Sequence, residues 1–361
     1  MKAFVKRWLA GAAVSAFGMG AVAAAEPPEL ASLVKAAQAE GRVVVAGPPV
    51  QAHRDAVMRF EAAYPGIKVE FSGMPPQAYE PRISTERAAG KYVWDILITG
   101  VSSTTFARQI PAGWFDPLEP VVVDPRARDN AQWAGGFAAG FMDKEQRYVY
   151  AFAADLAGGM FVNRDAVGAG FGYEQLLDEK WRGRIAILDP RARGPGSTTF
   201  RQLVAVLGED KACQLLKNQQ LVLSESPKQV VDWIVRGTYP IAIGVDSATL
   251  NGYQAQGIGK NVVLVQDPRG TILSKWGNIM LMNRAPNPNA ARLFVNWMLT
   301  TQAQAVWAET GKVNSRRTDV KPGNESAVVP AKVWASAYNL SSEKTAAEGV
   351  RALQLAKDCL K

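Results

Sequence analysis

The chain has 361 residues, 48% of them hydrophobic, with a formal net charge of +8, one histidine and two cysteines. One histidine and two distant cysteines make a poor zinc ligand set, so neither a metal nor a cofactor is expected. Lysines and arginines are spread among the acids and form no stripe, which argues against a nucleic-acid partner.

The first 25 residues read as an export signal. Lys2, Lys6 and Arg7 form a basic head, residues 8–22 are apolar and rich in Ala and Gly, and Ala23-Ala24-Ala25 supplies a cleavage site. The apolar run is short for a membrane span, no later segment is long enough for one, and no cysteine near the site suggests a lipid anchor. A soluble periplasmic protein, cleaved after Ala25, is expected. Removing 25 of the 361 residues and three cations leaves 336 residues with a net charge of +5, about two domains by length. The small positive excess favours anionic ligands. In an oxidising compartment Cys213 and Cys359 either form one disulfide tying the tail to the body, or leave Cys213 a buried thiol on its helix.

Along the mature chain helical and strand patterns alternate, which predicts an α/β fold. A helix over residues 29–40 leads through Gly41 into a strand at 42–45. A second helix starts near Arg54 with Val57, Phe60 and Tyr64 on one face and stops at Pro65-Gly66. Residues 67–71 alternate as a strand, a further helix ends near Gly90, and 94–98 reads as a buried strand. This β-α-β-α-β run predicts a parallel sheet. A second run begins with a strand at 184–188, a glycine-rich loop, and a helix grouping Phe200, Leu203, Val204 and Leu207. Ser226-Pro227-Lys228-Gln229 predicts a helix start with Ser as cap and Gln closing a capping box. Residues 241–245 form the next buried strand. Two α/β units joined by a less regular middle are the expected organisation.

Ligands of open α/β sheets bind beyond the carboxyl ends of the strands, where helix N-termini present free N–H groups. Small and hydroxyl residues recur at four such points: Gly47-Pro48-Pro49, Gly100 to Thr105, Asp189 to Thr199, and Val245-Asp246-Ser247. Each hydroxyl also serves as an ordinary helix cap, but the recurrence points to a shared cleft. The candidate ligand-binding residues are Pro49, Ser102, Ser103, Arg191, Arg193, Gly196, Ser197, Thr198, Asp246, Ser247 and Tyr253. Glycine permits close backbone approach, hydroxyls donate hydrogen bonds, and Arg191 or Arg193 offers a bidentate contact to a carboxylate or phosphate. Tyr253, Trp276 or Tyr79 can pack on the rest of the ligand.

Residues 270–320 resemble the C-terminal signature of bacterial extracellular solute-binding proteins of the ferric-iron-binding type. The signature comprises Trp276-Gly277-Asn278-Ile279-Met280-Leu281, then Asn283-Arg284-Ala285-Pro286-Asn287-Pro288-Asn289-Ala290-Ala291, then Leu293-Phe294-Val295-Asn296-Trp297-Met298-Leu299. Phe60 to Val69, Trp94-Asp95-Ile96-Leu97 and Gly183 to Pro190 are similar to further landmarks of that family. The resemblance implies a type II-like periplasmic-binding-protein fold: two lobes, each a mostly parallel sheet flanked by helices, with a hinged cleft that closes on the ligand. It also implies delivery to an ABC permease in the inner membrane. Residues 26–130 and 271–320 are expected in the first lobe, 131–270 in the second, and 321–361 as a helical tail packed on one of them.

The iron-binding pattern itself is broken. The adjacent tyrosines of ferric binders are replaced by Asp246-Ser247, and His53 lies about one turn beyond the iron-binding histidine, reading as a surface residue early in a helix. A monomeric binder of a small organic, phosphorylated or phosphonate anion is expected, with ferric iron as the alternative. A secreted α/β enzyme is the rival from another class, but there is no Gly-x-Ser-x-Gly elbow, no His-Glu-x-x-His and no P-loop. A sensor-receptor domain would use the same fold and site.

Overall fold

The structure, a computed structural model, describes residues 27–361 apart from Gly158, Arg193, Asp246, Pro268 and Ala335, so the expected signal segment lies outside the described residues. α1 (Pro28–Glu40) ends at Gly41, whose φ of +73° favours glycine, and hands over to β1 (Arg42–Gly47). α2 (Gln51–Ala63), β2 (Lys68–Gly73), α3 (Pro76–Ala88) and β3 (Ile96–Thr99) complete the first run. β1 pairs in parallel with both β2 and β3.

After β4 (Phe115–Asp116) and β5 (Tyr150–Ala151) come β6 (Asp155–Leu156), β7 (Met160–Asn163) and the short α4 (Arg164–Val167). The second run is β8 (Ile185–Leu188), α5 (Pro195–Leu207), α6 (Glu209–Asn218), β9 (Val222–Ser224), α7 (Pro227–Val235), β10 (Ile241–Ile243), α8 (Ser247–Gln254) and β11 (Val262–Val265). The chain returns through β12 (Ile272–Leu273) and β13 (Asn278–Met282), then closes with α9 (Pro288–Met298), α10 (Thr301–Gly311) and α11 (Glu343–Cys359).

Two sheets result, with strand orders β2-β1-β3-β13-β4 and β11-β7-β10-β8-β9. In each, one strand from a distant part of the chain enters antiparallel: β13 beside β3, and β7 beside β10. β5, in a stretch expected with the second lobe, pairs with β13 in the first sheet. The chain crosses between the sheets after β5 and again before β13, and the antiparallel pair β6–β12 joins the two crossings. This pair connects the two lobes and is termed the hinge region.

Each lobe has its own core. In the first, Phe60 of α2 meets Phe294 and Trp297 of α9 at ring separations of 5.1 and 5.3 Å. Each such ring, fully buried, contributes roughly 1.5–3 kcal/mol. The N-terminus of α9 is closed from α1: the Glu40 carboxylate accepts from the backbone N–H of Asn289 and Ala290, meeting the unpaired donors of that helix end. In the second lobe Phe200 and Leu203 of α5 pack on Ile185 and Ile187. Ser226 caps α7 through the Gln229 N–H, but the Gln229 side chain accepts from Ser224 Oγ, so the expected capping box is only half formed.

The tail is fixed at both ends. Cys359 is disulfide-bonded to Cys213 of α6, with Cα atoms 5.5 Å apart. At the start of α11 the Glu343 N–H donates to the Met142 carbonyl and its carboxylate accepts from the Lys144 N–H, with Met142 packed in the first-lobe core. Among the described residues no helix is long and apolar enough to cross a membrane.

Candidate functional site

The carboxyl ends of both sheets converge on a cavity of about 540 Å³. The first lobe contributes His53 from the opening turn of α2, Trp276 before β13, and Lys312 after α10. The second contributes Thr198, Thr199 and Gln202 from α5, and Gly244 and Val245 after β10. Lys275, beside the hinge, and Asn324 complete the polar lining. Among the described lining residues there is no carboxylate and no tyrosine.

His53 is the most telling of these. It is 5% exposed, both ring nitrogens lack a partner, and its ring stands edge-on to Trp307 at 4.5 Å. Burial pushes its pKa down to about 4, so at neutral pH the imidazole is uncharged and offers one N–H and one lone pair. A buried polar group without a partner is costly, and a ligand in the cavity would relieve that cost. The sequence-based reading of His53 as a surface residue is therefore corrected: α10 covers the start of α2 and seals the ring between Trp307 and Gly311.

Two lysines line the cavity, and one of them is paired. Lys275 Nζ lies 3.0 Å from Asp155 Oδ2, and Asp155 is 1% exposed, with Oδ1 accepting from the Asn314 N–H. Burial raises the Asp155 pKa, and Lys275 opposes that rise. Lys275 and Lys312 both hold left-handed backbones, with φ of +44° and +51°, a conformation disfavoured for side chains with a Cβ and found where surroundings enforce it.

A smaller cavity of about 190 Å³ adjoins the first, and Thr198, Leu273 and Leu340 line both. Here Ser102 and Ser103 from the loop after β3 face Ser197, Thr198 and Arg201 of α5, with Gly349 and Val350 of α11 forming one wall. Arg201 donates to the carbonyls of Leu340 and Thr345, while its Nε lacks a partner.

A model of the bacterial extracellular solute-binding protein family matches residues 27–305. The chain belongs to that family. Solved structures similar to this solute-binding protein include the apo ferric ion-binding protein A of Pasteurella haemolytica, with 16% identity, a TM-score of 0.65 and coverage of 88% of this chain and 98% of that one. A Trichodesmium protein in complex with iron and citrate has 16% identity, a TM-score of 0.66 and coverage of 88% and 99%. The periplasmic binding protein AfuA of Actinobacillus pleuropneumoniae, with fructose-6-phosphate bound, has 19% identity, a TM-score of 0.57 and coverage of 89% and 99%. At these identities the likeness establishes the two-lobed fold. Among proteins of curated function none matches in sequence.

The candidate residues of this solute-binding protein divide into three groups. Ser102, Ser103, Ser197 and Thr198 come together in the smaller cavity, and Trp276 lines the larger one with Thr198. Pro49, Arg191, Gly196 and Tyr253 line neither cavity. Pro49 is exposed beside Gly73. Arg191 is exposed and clamped by Asp189, its Nε 3.0 and 3.1 Å from the two carboxylate oxygens. Gly196 is required for packing, because a Cβ there would collide with the Asp189 carbonyl. Tyr253 lies beyond the first turn of α8, packed on the Val230–Ile234 apolar cluster with its hydroxyl 3.5 Å from Asp232. Tyr79 is core, 2% exposed. Arg193 and Asp246 lie outside the described residues, and Ser247 is the first residue of α8. Sequence reasoning missed Lys275, Lys312, Gln202 and Asn324, which carry no motif.

Proposed function

We propose that this chain is the periplasmic capture component of an ABC importer and holds a small organic or phosphorylated anion between its lobes. The observation that carries this reading is the lining of the interlobe cavity: Lys312, with Lys275 beside it paired to Asp155, a neutral buried histidine and the hydroxyls of Thr198 and Thr199, with no described acid among the lining residues. Lys312 supplies the uncompensated charge, His53 and Thr198 supply directed hydrogen bonds, and Trp276, Leu156 and Val313 cover the apolar part of the ligand. Ser102, Ser103, Ser197 and Thr198 extend this polar surface into the smaller cavity. Lobe closure about the β6–β12 pair would remove the bound anion from water and strengthen each contact.

The family is one of solute-binding proteins. Export with cleavage after Ala25 and a monomeric state remain part of the proposal.

Ferric iron is the second reading, favoured by the unpartnered nitrogens of His53 and by the ligands named for the similar proteins. No group of three or more described His, Cys, Asp or Glu residues has metal-binding geometry. In this reading iron would need an accompanying anion to complete its shell.

A thermal-shift screen of ligand-free mature protein separates the readings. A ligand at 100 times its Kd stabilises by about 2.7 kcal/mol. A shift with sugar phosphates, phosphonates or carboxylates that is lost in Lys312→Ala supports the anion reading. A shift only with ferric citrate, lost in His53→Ala, replaces it with the iron reading.

A further inference from the structure

A second charged cavity lies at the hinge, outside the interlobe site. Arg316 is 1% exposed, and among the described residues no carboxylate pairs with it. Its Nη1 donates to the Ala151 carbonyl and its Nη2 to those of Ala134 and Gly136, while its Nε has no acceptor. The rings of Trp133, Tyr150 and Trp334 stand 5.3–5.9 Å from the guanidinium carbon, and the buried Tyr150 hydroxyl turns to that same guanidinium. Carbonyls and ring faces satisfy geometry but leave the net charge in place, and a buried charge without a counter-ion is strongly unfavourable.

The space beside this group has a matching character. Arg316 and Trp334 line a cavity of about 320 Å³ together with Asn314, Ser315, Arg317 and Thr318, and no described lining residue is acidic. Arg317 does not need an additional partner, because Asp319 holds it through two hydrogen bonds of 2.8 and 2.7 Å. The uncompensated charge is therefore that of Arg316. We infer that this cavity is a second anion site, in which a small oxyanion of the carboxylate or phosphate type accepts from Arg316 and is closed over by Trp334.

The site is built on the crossing strand. The Arg316 N–H donates to the Phe152 carbonyl, and Ser315 bridges Ala153. Asn314, on its wall, forms reciprocal hydrogen bonds of 2.9 and 3.0 Å with Asn324, which lines the interlobe cavity. An anion here would bear on the hinge and, through this amide pair, on the main ligand site.

The test uses tryptophan fluorescence, since Trp133 and Trp334 flank the guanidinium, in a Trp276→Phe background that removes the tryptophan of the interlobe cavity. The folded mature chain is titrated with sodium phosphate and, separately, with sodium malonate at constant ionic strength. A saturable change in the millimolar range or below is expected, kept in Lys312→Ala and lost in Ala331→Phe, which fills the hinge cavity from an exposed position. Saturation with phosphate alone, or with malonate alone, assigns the oxyanion. A non-saturating drift with both, or a change lost in Lys312→Ala and kept in Ala331→Phe, overturns the inference.

Discussion

Arg191, at the end of a second-lobe strand, and Arg316, at the hinge, illustrate how differently two regions treat the same side chain. Arg191 follows β8 in a glycine-rich loop, where a ligand-binding arginine is expected. Asp189, two residues earlier, takes both edges of its guanidinium, and the pair faces water. Arg316 sits in no motif, yet it is fully enclosed, holds three backbone carbonyls and has no acid. Local sequence neutralises the first; tertiary packing creates the second. Charge counted along a chain therefore says little about where charge is available.

Mutation should break this comparison most sharply at Arg316. Arg316→Ala leaves three carbonyls unpaired and a void among three aromatic rings, and should cost about 4 kcal/mol in urea unfolding. A cost below that of an ordinary surface change would mean that the guanidinium is not structural. Next in size, removing the Cys213–Cys359 bridge by paired substitution to Ala should cost about 3 kcal/mol. Hydrogen exchange should rise first in α11, which the bridge holds against α6.

The pH dependence of stability tests the buried histidine. Unfolded, His53 takes up its proton near pH 6.5; folded, only near 4. Between those values the unfolded chain binds more protons, so this contribution is whole above pH 6.5 and lost as pH falls toward 4, by about 2–3 kcal/mol. Asp95, raised to about 6 by burial, acts in the opposite sense over the overlapping window. The decisive quantity is the difference in slope between His53→Gln and the parent chain; equal slopes would place the imidazole in water. Smallest of all, Arg191→Ala should change stability by less than about 1 kcal/mol and leave ligand affinity unaltered in calorimetry. A tenfold loss of affinity would return Arg191 to the site.

The sequence located most of the regular elements because their signals are local. The apolar face of α2, the Pro288 start and inward stripe of α9, and the alternation of β2 are each read within a few residues, where helical and strand periods are written. Ser102 and Ser103, just beyond β3, and Ser197 and Thr198, in the first turn of α5, stand out in the sequence for the same local reason. What composition and pattern determined is an α/β chain with two sheet units and a cleft at their carboxyl ends.

Only the tertiary structure decided which side chains face that cleft. His53, Thr198, Lys275 and Lys312 are separated by long stretches of chain and carry no shared motif, and they meet because β13, α9 and α10 return to the first sheet after the second lobe is complete. The same return buries His53 under Trp307 and sets Arg316 against the crossing strand, and α11, packed on α5 and α6 of the second lobe, brings Cys359 within bonding distance of Cys213. Secondary structure follows from neighbours in sequence, whereas burial, which fixes pKa, pairing and access, follows from neighbours in space.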